Sequence, residues 1–169
     1  MAIYDRYPKI KVKGWENTAV CGYKDILGFL REKLSLKQGK SLVIAVDTYP
    51  GVNDKEVLGA LQQLECDRLL LMQDVFKAEA ELQAQLEYHL TDDRVFGRMY
   101  FGEVSDLLDQ DKFHALVQQV VSSEGVTLVY GFGAFLIDKA DCRIYLDMAR
   151  WEIQLRYRRG MPNYNCANN

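Results

Sequence analysis

Short apolar runs alternate with amphipathic stretches along most of this chain. The runs are brief and bounded by polar residues, which predicts buried strands at residues 42–46, 67–72, 126–130 and 142–146. Between them, apolar side chains recur every three or four residues, or strong helix formers dominate. This predicts helices at 23–36, after residue 54, and at 78–90, 109–121 and 148–159. Strands that alternate with helices in this way predict an α/β fold, a three-layer parallel sheet with helices on both faces.

Two further stretches show the alternation of polar and apolar residues that is typical of a strand. In residues 7–14, lysines alternate with Ile10 and Val12, which predicts a half-exposed strand at the edge of the sheet. In residues 94–101, arginines alternate with apolar side chains, which predicts one more strand.

Residues 41–61 have the layout of a phosphate-binding loop. A buried strand leads into a loop of turn-forming residues at 47–54, and an amphipathic helix follows. In loops of this kind, backbone N–H groups and the dipole of the next helix bind an anion.

The loop departs from the nucleotide-binding pattern, which reads GxxxxGK followed by Ser or Thr and uses its lysine to reach the outer phosphates. If Gly51 is an inner glycine of the loop, Asn53 stands where the last glycine belongs. Asp54 then stands where the lysine belongs, and Lys55 comes one place late. Two interpretations stay open. One is a turn in which Asn53 or Asp54 caps the helix; the other is a phosphate site reshaped around Thr48, Gly51 and Lys55.

Two other strand ends carry candidate residues. Asp74 follows the strand at 67–72, and ligands bind at the carboxyl ends of parallel strands. This carboxylate could hold magnesium or accept a proton from a substrate hydroxyl, and it could equally cap the next helix. Gly131 begins a GxG after the strand at 126–130; it would allow close approach of a ligand or of the neighbouring loop, but a lone GxG is weak evidence for a dinucleotide.

The last predicted helix is rich in arginine. It contains Arg150, Arg156, Arg158 and Arg159. Arginine forks bind phosphate oxygens well, so the cluster could clamp an anion. Cations in the last turn also complement the helix dipole, and this alternative stays open. Two apolar residues of the same helix, four positions apart, are predicted to contact the core: Trp151 and Leu155.

Composition limits the class of protein. With 169 residues, of which 49% are hydrophobic, the chain is expected to form one globular domain. A net charge of −3 with mixed signs gives no general attraction to nucleic acid or to an anionic membrane. The chain has no apolar run of about 18 residues, and its first residues lack the apolar core of a signal peptide, so a cytoplasmic location is expected.

Cysteine and histidine are sparse. The four cysteines are widely scattered without a CxxC pair, which predicts reduced thiols. The only histidines are His89 and His114, so a catalytic zinc site contained in this chain is not expected.

Five motifs carry a resemblance to a known family: YDRYPKIKVKGWE, VDTYPGVNDKEVL, LTDDRVFGRMYFG, VYGFGAFL and YLDMARWEIQLRYRRGMPNYNC. They are similar to the amino-terminal region of class I mannose-6-phosphate isomerase proteins of Bacteroidetes and related bacteria. In those proteins a P-loop-type domain, similar to uridine kinases, precedes a cupin isomerase domain. The resemblance implies that residues 1–169 are a single domain like the P-loop nucleoside and nucleotide kinases, and a fragment of a longer protein. Zinc and isomerase activity would belong to the absent domain.

The resemblance also implies a site and three alternative functions. Asp74 is the candidate catalytic residue. The residues expected to bind a cofactor, with ATP and magnesium as the candidate, are Thr48, Gly51, Asn53, Lys55, Gly131, Arg150, Arg156 and Arg159. The expected function is a degenerate module that binds a nucleotide or another phosphorylated small molecule and contacts its own carboxyl-terminal isomerase domain. An active sugar or nucleoside kinase is the first alternative, and a structural or docking domain is the second. Pairing of two copies is left open.

Overall fold

The computed structural model describes residues 8–16, 18–35, 41–92 and 97–165. Four strands form its centre: β1 is Leu42–Thr48, β2 is Arg68–Leu71, β3 is Val126–Tyr130 and β4 is Cys142–Leu146. They form one parallel sheet in the order β2-β3-β1-β4. Every residue of β1 is buried. The four strands predicted from apolar runs are therefore confirmed, and so are the α/β class and the parallel sheet.

The helices that surround the sheet are α1 at Tyr23–Ser35, α2 at Asp54–Leu61, α3 at Glu79–Leu86, α4 at Gln110–Val121 and α5 at Arg150–Arg158. The predicted cap of α2 is confirmed, because the side chain of Asn53 accepts a hydrogen bond from the N–H of Glu56 at 3.4 Å. Asp109 caps α4 in the same way. Among the described residues, none of these helices is long and apolar enough to span a bilayer.

Apolar clusters lie on both faces of the sheet. Successive residues of a strand point to opposite faces. Val43 and Ala45 of β1 therefore pack into one cluster, with side chains of α4 and of the segment after β2. Ile44 and Val46 pack into the other, with side chains of α1 and α2. This arrangement gives the three layers that the sequence predicts.

Both strands predicted from polar–apolar alternation are wrong where the structure describes them. Residues 8–14 form no strand, and the Ile10 side chain is 85% exposed. Residues 97–101 are also irregular, and Phe101 is 88% exposed. Alternation stabilises a strand only when a neighbouring strand pairs with it, and neither stretch pairs with the sheet among the described residues. Position 7 and residues 94–96 of these predictions lie outside the described residues.

The prediction that Trp151 contacts the core is also wrong. Its side chain is 63% exposed, and α5 contains no buried residue. The four-residue spacing places Trp151 and Leu155 on one face of the helix, but that spacing does not determine what the face contacts. Leu155 is half-buried. The guanidinium of Arg158 lies 5.8 Å from the centre of the Trp151 ring.

Two aspartates extend the hydrogen-bond ladder at the amino ends of the outer strands. Asp67 precedes β2; its N–H donates to the carbonyl of Val126 at 2.9 Å, and its carboxylate accepts from the N–H of Val126 at 2.7 Å. Asp141 precedes β4 and binds Val43 in the same way. Its N–H donates to the carbonyl of Val43 at 2.9 Å, and its carboxylate accepts from the N–H of Val43 at 3.0 Å. Each carboxylate thus takes the place of one more backbone acceptor.

No disulfide involves the described cysteines Cys21, Cys66 and Cys142. Burial raises the pKa of the Cys66 thiol, and the charge of Asp67 adds to this effect. Cys166 lies outside the described residues.

Candidate functional site at the carboxyl edge of the sheet

A crevice lies between the carboxyl ends of β1 and β3. These two strands are neighbours, but the chain leaves them toward opposite faces of the sheet: α2 follows β1 on one face, and residues 134–137 follow β3 on the other. Ligands of open parallel sheets bind at such a point. The predicted phosphate-binding loop and the GxG at residues 131–133 border this crevice.

A carboxylate of the chain itself occupies the crevice. Asp47 is the second-to-last residue of β1 and is only 8% exposed. Its two oxygens accept hydrogen bonds from the N–H of Gly133 at 3.2 Å and the N–H of Phe135 at 2.9 Å. Gly131 and Gly133 have φ angles of 123° and 87°, a backbone conformation that side chains rarely adopt. Backbone N–H groups in such a glycine-rich turn form an anion site, and here the anion is Asp47.

Sequence reasoning missed the role of Asp47. The sequence signal was a lone acidic residue at the end of an otherwise apolar, buried strand. A buried carboxylate needs hydrogen-bond donors, and the two-glycine turn after β3 could have been recognised as their source.

A second carboxylate closes the space beside the predicted loop. The hydroxyl of Tyr130, a buried residue at the end of β3, donates to Asp54 at 2.7 Å. If Gly51 is an inner glycine of a nucleotide-binding loop, Asp54 is the residue that takes the place of the lysine. Only a cavity of about 10 Å³ is left there, and Gly131 and Tyr164 help to line it.

The structure brings together Gly51 and Arg156, which were both predicted to bind a phosphate. They bind each other directly. Gly51 has a φ of 99°, and its carbonyl accepts a hydrogen bond from the guanidinium of Arg156 at 2.9 Å. The same guanidinium binds Glu152 at 3.0 Å, and Arg159 binds that carboxylate at 3.2 Å. The hydrogen bond from Arg156 lowers the pKa of Glu152. Both arginines therefore already have anionic partners.

The other predicted site residues take no part in these hydrogen bonds and ion pairs. Thr48 is buried as the last residue of β1. Lys55 is exposed in the first turn of α2, and Asn53 is occupied as its cap. Arg150 is exposed at the start of α5. Asp74 is exposed in a short 3₁₀ helix after β2 and does not cap α3, which begins after Ala78.

The crevice carries negative charge. Burial raises the pKa of Tyr164, and the charges of Asp54, Asp47 and Asp74 raise it further, so all three carboxylates lie close enough to act on its hydroxyl. A polyphosphate would be repelled here unless a cation accompanied it. In the described part of the chain, no three His, Cys, Asp or Glu side chains are grouped as metal ligands.

A large groove opens beside the crevice. Its volume is about 880 Å³, and its lining residues come from α3, from the loops after β1 and β3 and from residues 163–165. No sequence motif pointed to it, because its walls are distant in sequence. Volumes of this size are typical of small-molecule sites.

The pair of Tyr130 and Asp54 is expected to make the fold sensitive to alkali. Burial and then the hydrogen bond to Asp54 raise the pKa of Tyr130, so the unfolded chain loses the phenolic proton first as the pH rises. The contribution of neutral Tyr130 to stability is therefore complete below the ordinary tyrosine pKa of about 10 and decreases above it, by at most about 1.4 kcal/mol per pH unit.

Urea denaturation between about pH 8 and about pH 11 measures this effect. We expect Tyr130→Phe to lower the free energy of unfolding at neutral pH by about 1 kcal/mol and to make its decline at high pH shallower. Tyr88→Phe is the control, because Tyr88 is exposed. An equal decline in both variants would contradict the prediction.

Comparison with known proteins identifies the family. The chain belongs to the family described as a domain of unknown function, DUF8485, whose model matches residues 22–169. No curated protein and no solved structure matches the chain.

Proposed function

We propose that this chain is a kinase-like domain that does not transfer phosphoryl groups and that serves as an accessory domain to a mannose-6-phosphate isomerase. The parallel sheet and the loop-to-helix unit after β1 support a fold of the P-loop kinase type. The five sequence motifs similar to mannose-6-phosphate isomerase proteins support the parent family. On this proposal, contact with the carboxyl-terminal isomerase domain is the main role of the domain.

The occupation of the crevice by Asp47 carries the proposal. Phosphoryl transfer depends on positioned donors and cations that stabilise the negative charge of the transferring group. The N–H groups of Gly133 and Phe135 are such donors, but a buried carboxylate already accepts from both of them. An incoming phosphate would have to displace Asp47, which would leave a buried charge without partners.

The cations of the predicted site support the same conclusion. Asp54 replaces the lysine of the loop and binds Tyr130. Lys55 is exposed in the first turn of α2. Arg156 binds Glu152 and the carbonyl of Gly51. The alternative of an active sugar or nucleoside kinase therefore has less support than a domain without turnover.

Isothermal titration with magnesium ATP, followed by mannose 6-phosphate, tests the proposal. We expect no saturable heat from either ligand with the folded wild-type chain, because Asp47 already accepts from the donors of the crevice and Glu152 already pairs with Arg156 and Arg159. Circular dichroism on the same sample verifies that the protein is folded.

The contrary result has a specific form. Saturable heat with magnesium ATP that is lost in Arg156→Ala and kept in Arg158→Ala would overturn the proposal and show a nucleotide site, and a kinase assay would then distinguish turnover from binding alone. Arg158 is the matched control because it lies on the same helix, is exposed and contacts the ring of Trp151.

A further inference from the structure

The groove beside the crevice has an apolar floor. Helix α3 contains no buried residue, although its sequence presents Leu82, Leu86 and, just beyond its end, Leu90 at four-residue spacing. All three leucines line the groove. Apolar side chains at this spacing usually face a packed core. Here Leu82 packs partly against the buried cluster, and the stripe as a whole borders a space of about 880 Å³ that has room for a ligand.

Three aromatic rings form the end of the groove near the sheet. The ring centre of Phe76 lies 6.3 Å from that of Phe132 and 5.5 Å from that of Tyr164. The centres of Phe132 and Tyr164 are 5.7 Å apart. Tyr164 belongs to the wall of residues 163–165, and Asn165 attaches this wall to the short 3₁₀ helix after β2 by donating a hydrogen bond to the carbonyl of Gln73 at 3.2 Å. Phe76 is buried, whereas Phe132 and Tyr164 are half-buried and keep part of their surface exposed. The faces of aromatic rings attract organic cations.

The charged side chains that line the groove, within the described part of the chain, are all acidic. Among the described residues that line it, Glu79, Glu87 and Asp92 carry negative charge and none is a lysine or arginine. All three carboxylates are exposed. An acidic rim around an apolar, aromatic floor attracts cations and repels phosphates, both by direct interaction and by its field.

We propose that this groove binds a small organic cation, an amine or an aromatic nitrogen cation with an apolar body. The body lies along the leucines of α3, and the positive charge faces the aromatic rings and the acidic rim. This inference goes beyond the proposed function and does not depend on it, since the groove is separate from the donors that Asp47 occupies. The proposed ligand differs from the phosphorylated ligand that the sequence led us to expect. A phosphate needs positive side chains, and the charged side chains of the described lining are negative.

Two fluorescent dyes of similar size and opposite charge test the proposal. Thioflavin T is an aromatic cation, and anilinonaphthalene sulfonate is an aromatic anion. With the whole chain in low salt, we expect saturable binding of the cation that is at least about tenfold tighter than binding of the anion. Added salt should weaken the binding of the cation, since the rim carboxylates are exposed to screening.

Charge-neutral variants locate the site. The triple variant Glu79→Gln, Glu87→Gln, Asp92→Asn should weaken cation binding at least about fivefold, because each exposed carboxylate contributes modestly. Glu81→Gln is the matched control: it removes a carboxylate from the same helix, one that pairs with Lys77 at 4.0 Å and does not line the groove. Its affinity for the cation should equal that of the wild-type chain.

Any of the following outcomes would overturn the proposal. The first is equal or tighter binding of the anionic dye, which would mean an apolar groove without selection for charge. The second is a triple variant with wild-type affinity, or the absence of saturable cation binding. Another is that a peptide of alternating lysine and leucine displaces the dye with far higher affinity than small amines do. That result would indicate a peptide-binding groove instead.

Discussion

Replacing Asp47 with alanine is expected to lower the free energy of unfolding by about 2–4 kcal/mol, because hydrogen bonds to a charged group are strong and two donors lose their acceptor. The N–H groups of Gly133 and Phe135 would then lie in a buried crevice without a protein partner. The loss should appear in urea denaturation as a lower midpoint with a nearly unchanged slope.

Two further variants separate this cause from a general loss of acidic charge. Asp74→Ala removes an exposed carboxylate at the same edge of the sheet and should change stability by less than about 0.5 kcal/mol. Asp47→Asn should fall between the two, because its amide oxygen can still accept one bond while its NH₂ group faces the other donor. If Asp47→Ala were as stable as Asp74→Ala, the crevice would not depend on this carboxylate.

Gly131→Ala is expected to have the other large effect, a loss of about 2–4 kcal/mol, of which backbone strain alone contributes about 1–3 kcal/mol. The φ angle of Gly131 is 123°, and a Cβ there would lie 3.2 Å from the Cβ of Met72 and 3.0 Å from the hydroxyl of Tyr164. The Tyr164 hydroxyl can move, but Met72 is fully buried and can give way only by shifting its backbone.

Gly28→Ala is the matched control for that experiment. Gly28 lies inside α1, has no positive φ and has open space where a Cβ would be added. Alanine favours a helix interior over glycine, so this variant should gain about 0.5–1 kcal/mol. The same chemical change should thus have opposite signs at the two positions. A loss at Gly28 equal to that at Gly131 would contradict the interpretation from backbone geometry.

The sheet and its helices could be predicted because their signals are local. The apolar run that forms β1 and the apolar spacing that forms α4 need only neighbouring residues to be recognised. The cap formed by Asn53 is local too, since it depends on an N–H three residues away. Stretches whose state depends on distant partners were predicted less well. Residues 8–14 alternate like a strand, but no neighbouring strand of the described chain pairs with them.

The candidate site was predicted only in part, for a related reason. Gly51 and Arg156 were both expected to bind phosphate, and the structure brings them together in a hydrogen bond between residues that are 105 positions apart. The identity of their partner could not be inferred from residue types, because an arginine fork binds a carbonyl or a glutamate as readily as a phosphate. Asp47 was missed because its donors come from another strand end, 86 and 88 positions away.

Asp67 and Asp141, whose carboxylates accept hydrogen bonds from the N–H groups of Val126 and Val43, influence which alignment the strands adopt during folding. Because residues 42–46 of β1 are all apolar, sliding this part of the strand by two residues along β4 would still bury apolar side chains on both faces. Such a slip would separate Asp141 from Val43, and a similar slip of β2 would separate Asp67 from Val126. Each misaligned pairing would lose about 0.5–1.5 kcal/mol from this bond alone. Apolar burial alone does not fix the alignment, and the carboxylates of Asp67 and Asp141 at one rim, together with Asp47 at the other end of β1, favour the native one.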